Sequence, residues 1–210
     1  MDLSTLQTII KGRLRNSKSP IVDGLILSEL QVLQDNLEAD IWLPWFLQDS
    51  TILTTSIGDH AVSFPTGFIR EISDGGIWLL RDGKRVKQIL KNDFDYLTTR
   101  YETTEGEPEA YAIMGGTFQI FPMPDAVYSL ELFFFGKDTV IDGTVVTSNE
   151  WTTRASDLII GEIGAIIAGQ YTADDKAAQY FGGQATRGRA RLVNAQIAWE
   201  EANRIRVTNP

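Results

Sequence analysis

The sequence predicts an α+β fold: a discontinuous helical domain, built from the N- and C-terminal helices, with an inserted antiparallel β lobe of sandwich or barrel-like form. Three observations predict it. Helical periodicity marks residues 3–41 and 152–207. Short β-rich runs separated by glycine turns fill the stretch between. Neither helical end is long enough alone to enclose a core, so the two must pack together. Residues 1–47 and 148–210 are thereby assigned to the helical domain and 48–147 to the β lobe.

Taken in order, Leu3, Leu6, Ile10 and Leu14 recur at helical spacing, and Lys11, Arg13 and Arg15 gather where cations suit the helix dipole. Asn16-Ser17-Lys18-Ser19-Pro20 ends that helix. A second is expected from Asp23, a suitable N-cap, with Ile26, Leu30, Leu33, Leu37 and Ile41 as its apolar stripe. Trp42-Leu43-Pro44-Trp45-Phe46 forms an aromatic hinge. Thr51–Ile57 and the alternating His60, Val62 and Phe64 read as a hairpin about Gly58-Asp59. Strands follow at 68–72, 77–80 and 86–89, then a short helix at 92–101 capped by Asn92 or Asp93. Further strands are expected at 110–114, 117–121, 128–135 and 139–146. Residues 128–135 are apolar on most of both faces, which marks a central strand packed on both sides. Helices at Thr152–Tyr171 and Ala173–Val207 close the chain, the last with a potential break at Gly182-Gly183.

Composition excludes much chemistry. The 210 residues are 43% hydrophobic and 22% charged, ordinary globular values. There is no cysteine, which removes disulfides, thiolate metal sites and cysteine nucleophiles. The single histidine, His60, cannot build a polyhistidine metal site and reads as a rim residue beside a turn. No cofactor and no metal site is expected, and no catalytic residue stands out among the acids. The pairs Gly75-Gly76, Gly115-Gly116 and Gly182-Gly183 fit no phosphate-binding pattern and read as turn glycines. Met1-Asp2-Leu3-Ser4 does not resemble a signal peptide, and the apolar run at 158–168 is far short of the roughly 20 residues a membrane span needs. A soluble chain with no membrane partner is expected.

Two features point to surfaces. Gly161, Ala165 and Gly169 place small side chains along one helix face, so another backbone can approach closely. That backbone belongs either to the same chain or to a neighbouring subunit. The net charge of −9 is uneven: residues 1–175 hold thirteen basic and twenty-six acidic residues, whereas 176–210 hold six and two. Lys176, Arg187, Arg189, Arg191, Arg204 and Arg206 make the C-terminal helix basic, with no aromatics among them for base stacking. Docking on an acidic protein surface is the functional reading, and a solvated helix face is the other.

The order of elements, together with several short segments, resembles the head-to-tail adaptor (connector) proteins of tailed bacteriophages, including the podovirus tail tubular A type. The helix pair 3–15 and 23–41 is followed by Trp42 and β structure. Phe64-Pro65-Thr66-Gly67-Phe68 is similar to the family's Leu-Pro-x-x-Phe segment. Glu107-Pro108-Glu109-Ala110-Tyr111, with Phe118-Gln119-Ile120-Phe121-Pro122-Met123-Pro124, is similar to its Gly-x-Pro-x-x-Tyr and Pro-x-Pro segments. The resemblance implies a structural virion protein at the head–tail junction, made in the host cytoplasm and not an enzyme. It implies a homo-oligomeric ring, expected to be a dodecamer, that docks under the portal protein. The ring would meet a tail or nozzle protein and extend the channel through which DNA passes without sequence-specific binding. Gly161, Ala165 and Gly169 with the first two helices are then candidates for a subunit interface, and the basic C-terminal helix for portal docking. The alternative is a β-sandwich carbohydrate-binding module with oligomerising helices, using Trp42, Trp45, Trp78, Trp151 and Tyr111 as stacking surfaces. A paired-carboxylate hydrolase ranks third.

Overall fold

Asp2 opens the first helix: its carboxylate accepts the Thr5 amide at 2.8 Å and starts α1 (Leu3–Lys11). In this computed structural model, which describes residues 1–14, 20–40, 42–72 and 76–203, Leu3, Leu6, Ile10 and Leu14 are buried as their spacing predicts. The second helix, α2 (Pro20–Glu38), begins at Pro20 rather than beside Asp23. Proline suits a first helical position because its missing N–H had no partner to lose. Asp23 lies within the first turn and pairs with Lys11 at 2.7 Å instead of capping. The buried stripe of α2 also differs from expectation. It runs Val22, Ile26, Leu30, Gln34 and Glu38, with Leu33 and Leu37 half-buried. Ile41 and the loop residues 15–19 lie outside the described residues.

The chain divides into two units, Met1–Leu47 with Asp138–Pro210, and Gln48–Lys137. The second unit is β-rich. Its strands are β1 (Gln48–Thr54), β2 (Ala61–Ser63), β3 (Phe68–Glu71), β4 (Ile77–Arg81), β5 (Lys84–Lys91), β6 (Glu105–Gly106), β7 (Ala110–Met114), β8 (Thr117–Phe121), β9 (Met123–Pro124) and β10 (Ser129–Gly136), with α3 (Phe94–Tyr101) between β5 and β6. One curled sheet runs β1-β10-β4-β5-β7-β8-β2, with β3 also pairing β10. All its pairings are antiparallel except β5–β7. Leu53 of β1 and Val62 of β2, from opposite ends of the sheet, share one core with Ile77, Leu79, Phe118 and Leu132, so the sheet wraps around its own apolar face.

Turn chemistry sets two hairpins. Asp82-Gly83 (φ 52° and 72°) and Gly115-Gly116 (φ 61° and 79°) supply the paired positive φ of two-residue hairpin loops. The expected hairpin about Gly58-Asp59 does not form, because β1 pairs β10 along its whole length and β2 pairs β8. The Gly58 amide donates to Pro124 O at 2.9 Å and the Ile120 amide to His60 O at 2.8 Å, drawing this loop to β8 and β9. Residues 128–135 do give an interior strand, one place in from the edge: β10 lies between β1 and β4, with Leu130, Leu132 and Phe134 buried. Its other face is covered by cations, with Arg85 over Phe133 at 4.5 Å and Arg70 over Phe135 at 5.4 Å. Asp93, not Asn92, caps α3.

No strand forms at 139–146. The Asp142 carboxylate accepts the amides of Thr144 (2.7 Å), Val145 (2.9 Å) and Val146 (3.1 Å), which curls the segment into a turn and consumes the N–H groups a ladder would need. The bonds from Thr144, then Val146 and Val145, hold the Asp142 carboxyl below its ordinary value of 3.8. A depressed folded value means the turn is favoured above the unfolded carboxyl value, and that preference is lost as pH falls through the folded value. In an NMR titration the Thr144, Val145 and Val146 amides should shift together with a midpoint below 3.8; a midpoint at or above it contradicts the assignment.

In the helical unit the single helix expected over Thr152–Tyr171 is three pieces. They are α4 (Glu150–Arg154), α5 (Ser156–Ile166) and a π-helical turn at Ile167–Tyr171, with non-helical Ala155 at the first break. The last helix, α6 (Asp175–Asn203), passes through Gly182-Gly183 without a break. Phe181 and Ala185, one on each side of the pair, are both buried, so packing holds the backbone where propensity is weak.

Candidate functional site

The small-residue pattern has its effect where α5 crosses α6. A Cβ added at Gly161 would stand 2.2 Å from the Ala185 amide nitrogen, and one at Gly188 would stand 2.4 Å from the Leu158 amide nitrogen. Gly164 lies under the Phe181 ring, 2.5 Å from where its Cβ would be. Of the predicted residues, Gly161 is therefore used inside the chain, Ala165 is half-buried, and Gly169 is exposed, its nearest neighbour being Ala178 Cβ at 3.9 Å. The crossing is built by Gly161 and Gly164 on one helix and Ala185 and Gly188 on the other. The four-residue spacing singles out Gly161 but includes neither Gly164 nor Gly188.

The basic helix is divided in its roles. Arg189 reaches Glu162 at 3.4 Å and Arg191 pairs with Asp157, so both staple α6 to α5. Lys176 and Arg187 are exposed on α6. Arg204 and Arg206 lie outside the described residues. Exposed ion pairs of this kind contribute little stability, about 0–1 kcal/mol each, which leaves their arginines able to exchange partners at modest cost.

A polar cluster that hydrophobic patterning does not reveal ties α2 to the returning chain. Glu38, 4% exposed, accepts at one oxygen from Gln34 Nε2 (2.9 Å), the Asp138 amide (3.1 Å) and Trp151 Nε1 (3.1 Å). Asn149 donates to Gln34 Oε1 at 2.9 Å and, with Thr152, closes a capping box at the start of α4. The sequence signal was present as polar residues at positions 34 and 38 of an otherwise apolar stripe.

Two of the aromatics proposed as a stacking surface present no face for stacking. Trp151 and Tyr111 are 1% and 0% exposed. Burial holds the Tyr111 hydroxyl well above its ordinary pKa, and among the described residues that hydroxyl has no hydrogen-bond partner. The hydroxyl of Tyr128 is pushed up to about 12 by its bond to Asp125. His60 donates through Nδ1 to Ile120 O at 2.7 Å and packs at a tilt against the Phe121 ring, 4.7 Å between centroids, a rim position. Pro65 and Gly67 of the first resembling segment make a turn (Phe68 N to Pro65 O, 3.1 Å; Gly67 φ 75°) that gathers Phe64, Phe68 and Phe118. Among the described residues no group of three or more His, Cys, Asp or Glu could hold a metal, and no helix is long and apolar enough to cross a membrane.

What the helical unit offers is surface. Two adjoining grooves run along α6. One, of about 600 Å³, lies beside Gly182, Thr186 and Ala190. The other, of about 300 Å³, is bounded by Leu37, Trp42 and Leu192. Arg189 and Val193 line both. Comparison with protein families matches residues 1–208 to the SU10 adaptor protein. A search of curated proteins finds no match.

Proposed function

The chain belongs to the SU10 adaptor protein family, a family of phage head-to-tail adaptors, and from that premise we propose that it forms a ring that docks beneath the portal and prolongs the DNA channel toward the tail. It is a structural phage adaptor. The observation that carries the reading is the family match over nearly the whole chain. The ring is expected to be a dodecamer, in contact with the portal on one side and a tail or nozzle protein on the other.

Physical features support this reading. A closed ring of identical subunits needs two different, complementary faces on each, and the helical unit carries an open groove on α6 and exposed apolar side chains on α2. The net charge of −9 suits a conduit through which DNA slides without being gripped. Of the small-residue face, the Ala165–Gly169 end is what remains for a neighbouring subunit, since Gly161 is occupied by Ala185. The helical domain made of both chain ends is the ring-forming part, and the β lobe is the inserted part.

Docking on the portal is assigned to the C-terminal helix through Lys176, Arg187 and the arginines at 204 and 206. Deleting all of 176–210 would strip the cover from α5, so the discriminating variants are Lys176→Glu with Arg187→Glu, and truncation after Asn203. Each should weaken co-sedimentation with portal rings at least tenfold while circular dichroism stays unchanged. Undiminished binding by both overturns the assignment. Native mass spectrometry, alone and with portal, reads the ring itself.

A further inference from the structure

We infer that the free edge of β1 is a self-association site, where a second copy of this chain lays its own β1 antiparallel across a two-fold axis. In the sheet order β1-β10-β4-β5-β7-β8-β2, the terminal strands are β1 and β2. A terminal strand carries unpaired backbone groups that another strand can use, and proteins commonly blunt such edges with Lys, Pro, a bulge or short length. β2 is blunted by its length of three residues. β1 has none of these devices: its seven residues include no Lys or Pro, and its register with β10 runs from Gln48 to Thr54 without a shift.

The phase of the ladder shows which groups are free. The Thr55 amide donates to Tyr128 O at 3.0 Å, one step beyond the Thr54–Ser129 pair. Residues 49, 51, 53 and 55 therefore bond to β10, and Ser50, Ile52 and Thr54 turn both N–H and C=O to the open side. Among the described residues nothing accepts from the Ile52 or Thr54 amide, whereas the Ser50 amide donates to its neighbour Asp49 Oδ1 at 2.7 Å. Ile52 is 62% exposed, and Ser50 and Thr54 are exposed beside it, so this edge meets solvent.

The edge is complementary to itself. An antiparallel partner must offer N–H and C=O at every second residue, which β1 does at 50, 52 and 54. Centred on Ile52, the pairing sets Ile52 against its counterpart, and Ser50 against Thr54 of the second copy. Apolar pairs and hydroxyl pairs of this kind favour cross-strand contact. Asp49 falls against Thr55, so no like charges meet. Asp49 also restrains the contact, because its carboxylate holds the Ser50 amide that pairing requires. A two-fold contact is isologous and separate from the two unlike faces of a ring, so it stands independently of the ring reading.

Analytical ultracentrifugation of the full chain without portal should show reversible association between pairs of copies. Ile52→Pro removes an amide that the β1–β10 ladder does not use, and by symmetry it deletes two bonds from the contact. It should weaken association about tenfold or more. Ile52→Lys, which keeps the amide and places a charge at the axis, should weaken it as well. Asp49→Ala frees the Ser50 amide and should tighten it about threefold. The chain has no cysteine, so Ile52→Cys carries a unique thiol. Facing Cα atoms in such a pair lie about 5.5 Å apart, within disulfide reach, and a mild oxidant should give a covalent dimer. Val127→Cys, 63% exposed in the same unit, is the control and should give little. A chain monomeric at every concentration overturns the inference, as does association that neither Ile52 variant weakens or equal cross-linking by the two cysteine variants. Ile52→Pro should still assemble on portal rings, and loss of ring and pairing together would overturn the two-fold assignment.

Discussion

Gly188→Ala should destabilise the helical unit by about 3 kcal/mol, at the upper end of what overpacking costs. The added methyl would lie 2.4 Å from the Leu158 amide nitrogen and 2.7 Å from Leu158 Cα. These are backbone atoms of α5, so no rotamer change can absorb the clash and the helices must separate. Separation would also loosen Ala185 from Gly161 and Phe181 from Gly164, because all three contacts lie along one crossing. For a chain of this size the cost corresponds to a Tm lower by roughly 6–12 °C. Gly183→Ala is the control on the same helix. Its methyl would meet only the end of the Arg187 side chain at 3.7 Å, so the gain in helix propensity should raise stability by about 0.5–1 kcal/mol. Thermal unfolding of the two variants checks the pair. A Gly188→Ala protein as stable as the parent would mean that the tight crossing is not what joins α5 to α6.

That contrast also explains how far the sequence was legible. Periodicity recovered the amphipathic helices, because Leu6, Ile10, Ile26 and Leu30 reach the core through local spacing alone. Turn chemistry placed a turn at Gly115-Gly116 for the same local reason. Pairings between distant strands were not local. β1 pairs β10 across most of the β unit, and nothing within 48–64 announces it, so a nearer hairpin was expected instead. At 139–146 β-branched residues suggested a strand, but Asp142 captures the amides that strand would have used. The proposed assembly surfaces were half legible. Gly161 and the arginines were visible as types, but which of them turn inward depends on the α5–α6 crossing: Gly161 and Arg191 are occupied there, whereas Gly169 and Arg187 remain exposed.

Removing the carboxylate of Glu38 should be the most costly polar substitution in the helical unit. Its one oxygen satisfies Gln34 Nε2, the Asp138 amide and Trp151 Nε1, so Glu38→Ala leaves three donors in a buried site without their acceptor. Each unsatisfied donor costs about 1–3 kcal/mol, and allowing for relaxation the loss should be about 3 kcal/mol or more. Glu38→Gln keeps a carbonyl oxygen where the acceptor stood and gives up only the charge-assisted part of the bonds, so it should cost about 1 kcal/mol. The difference between the two variants separates hydrogen bonding from charge, and chemical denaturation measures it. The location gives the loss a second consequence. Glu38 holds Asp138, the residue at which the chain re-enters the helical unit after the β strands, and through Gln34 and Asn149 it steadies the cap of α4. Hydrogen exchange at the Asp138 amide should therefore accelerate in Glu38→Ala well before α5 and α6 lose protection, and remain near the parent rate in Glu38→Gln. Equal exchange in the two variants would show that the polar cluster follows the packing around Trp151 and does not fix the re-entry point itself.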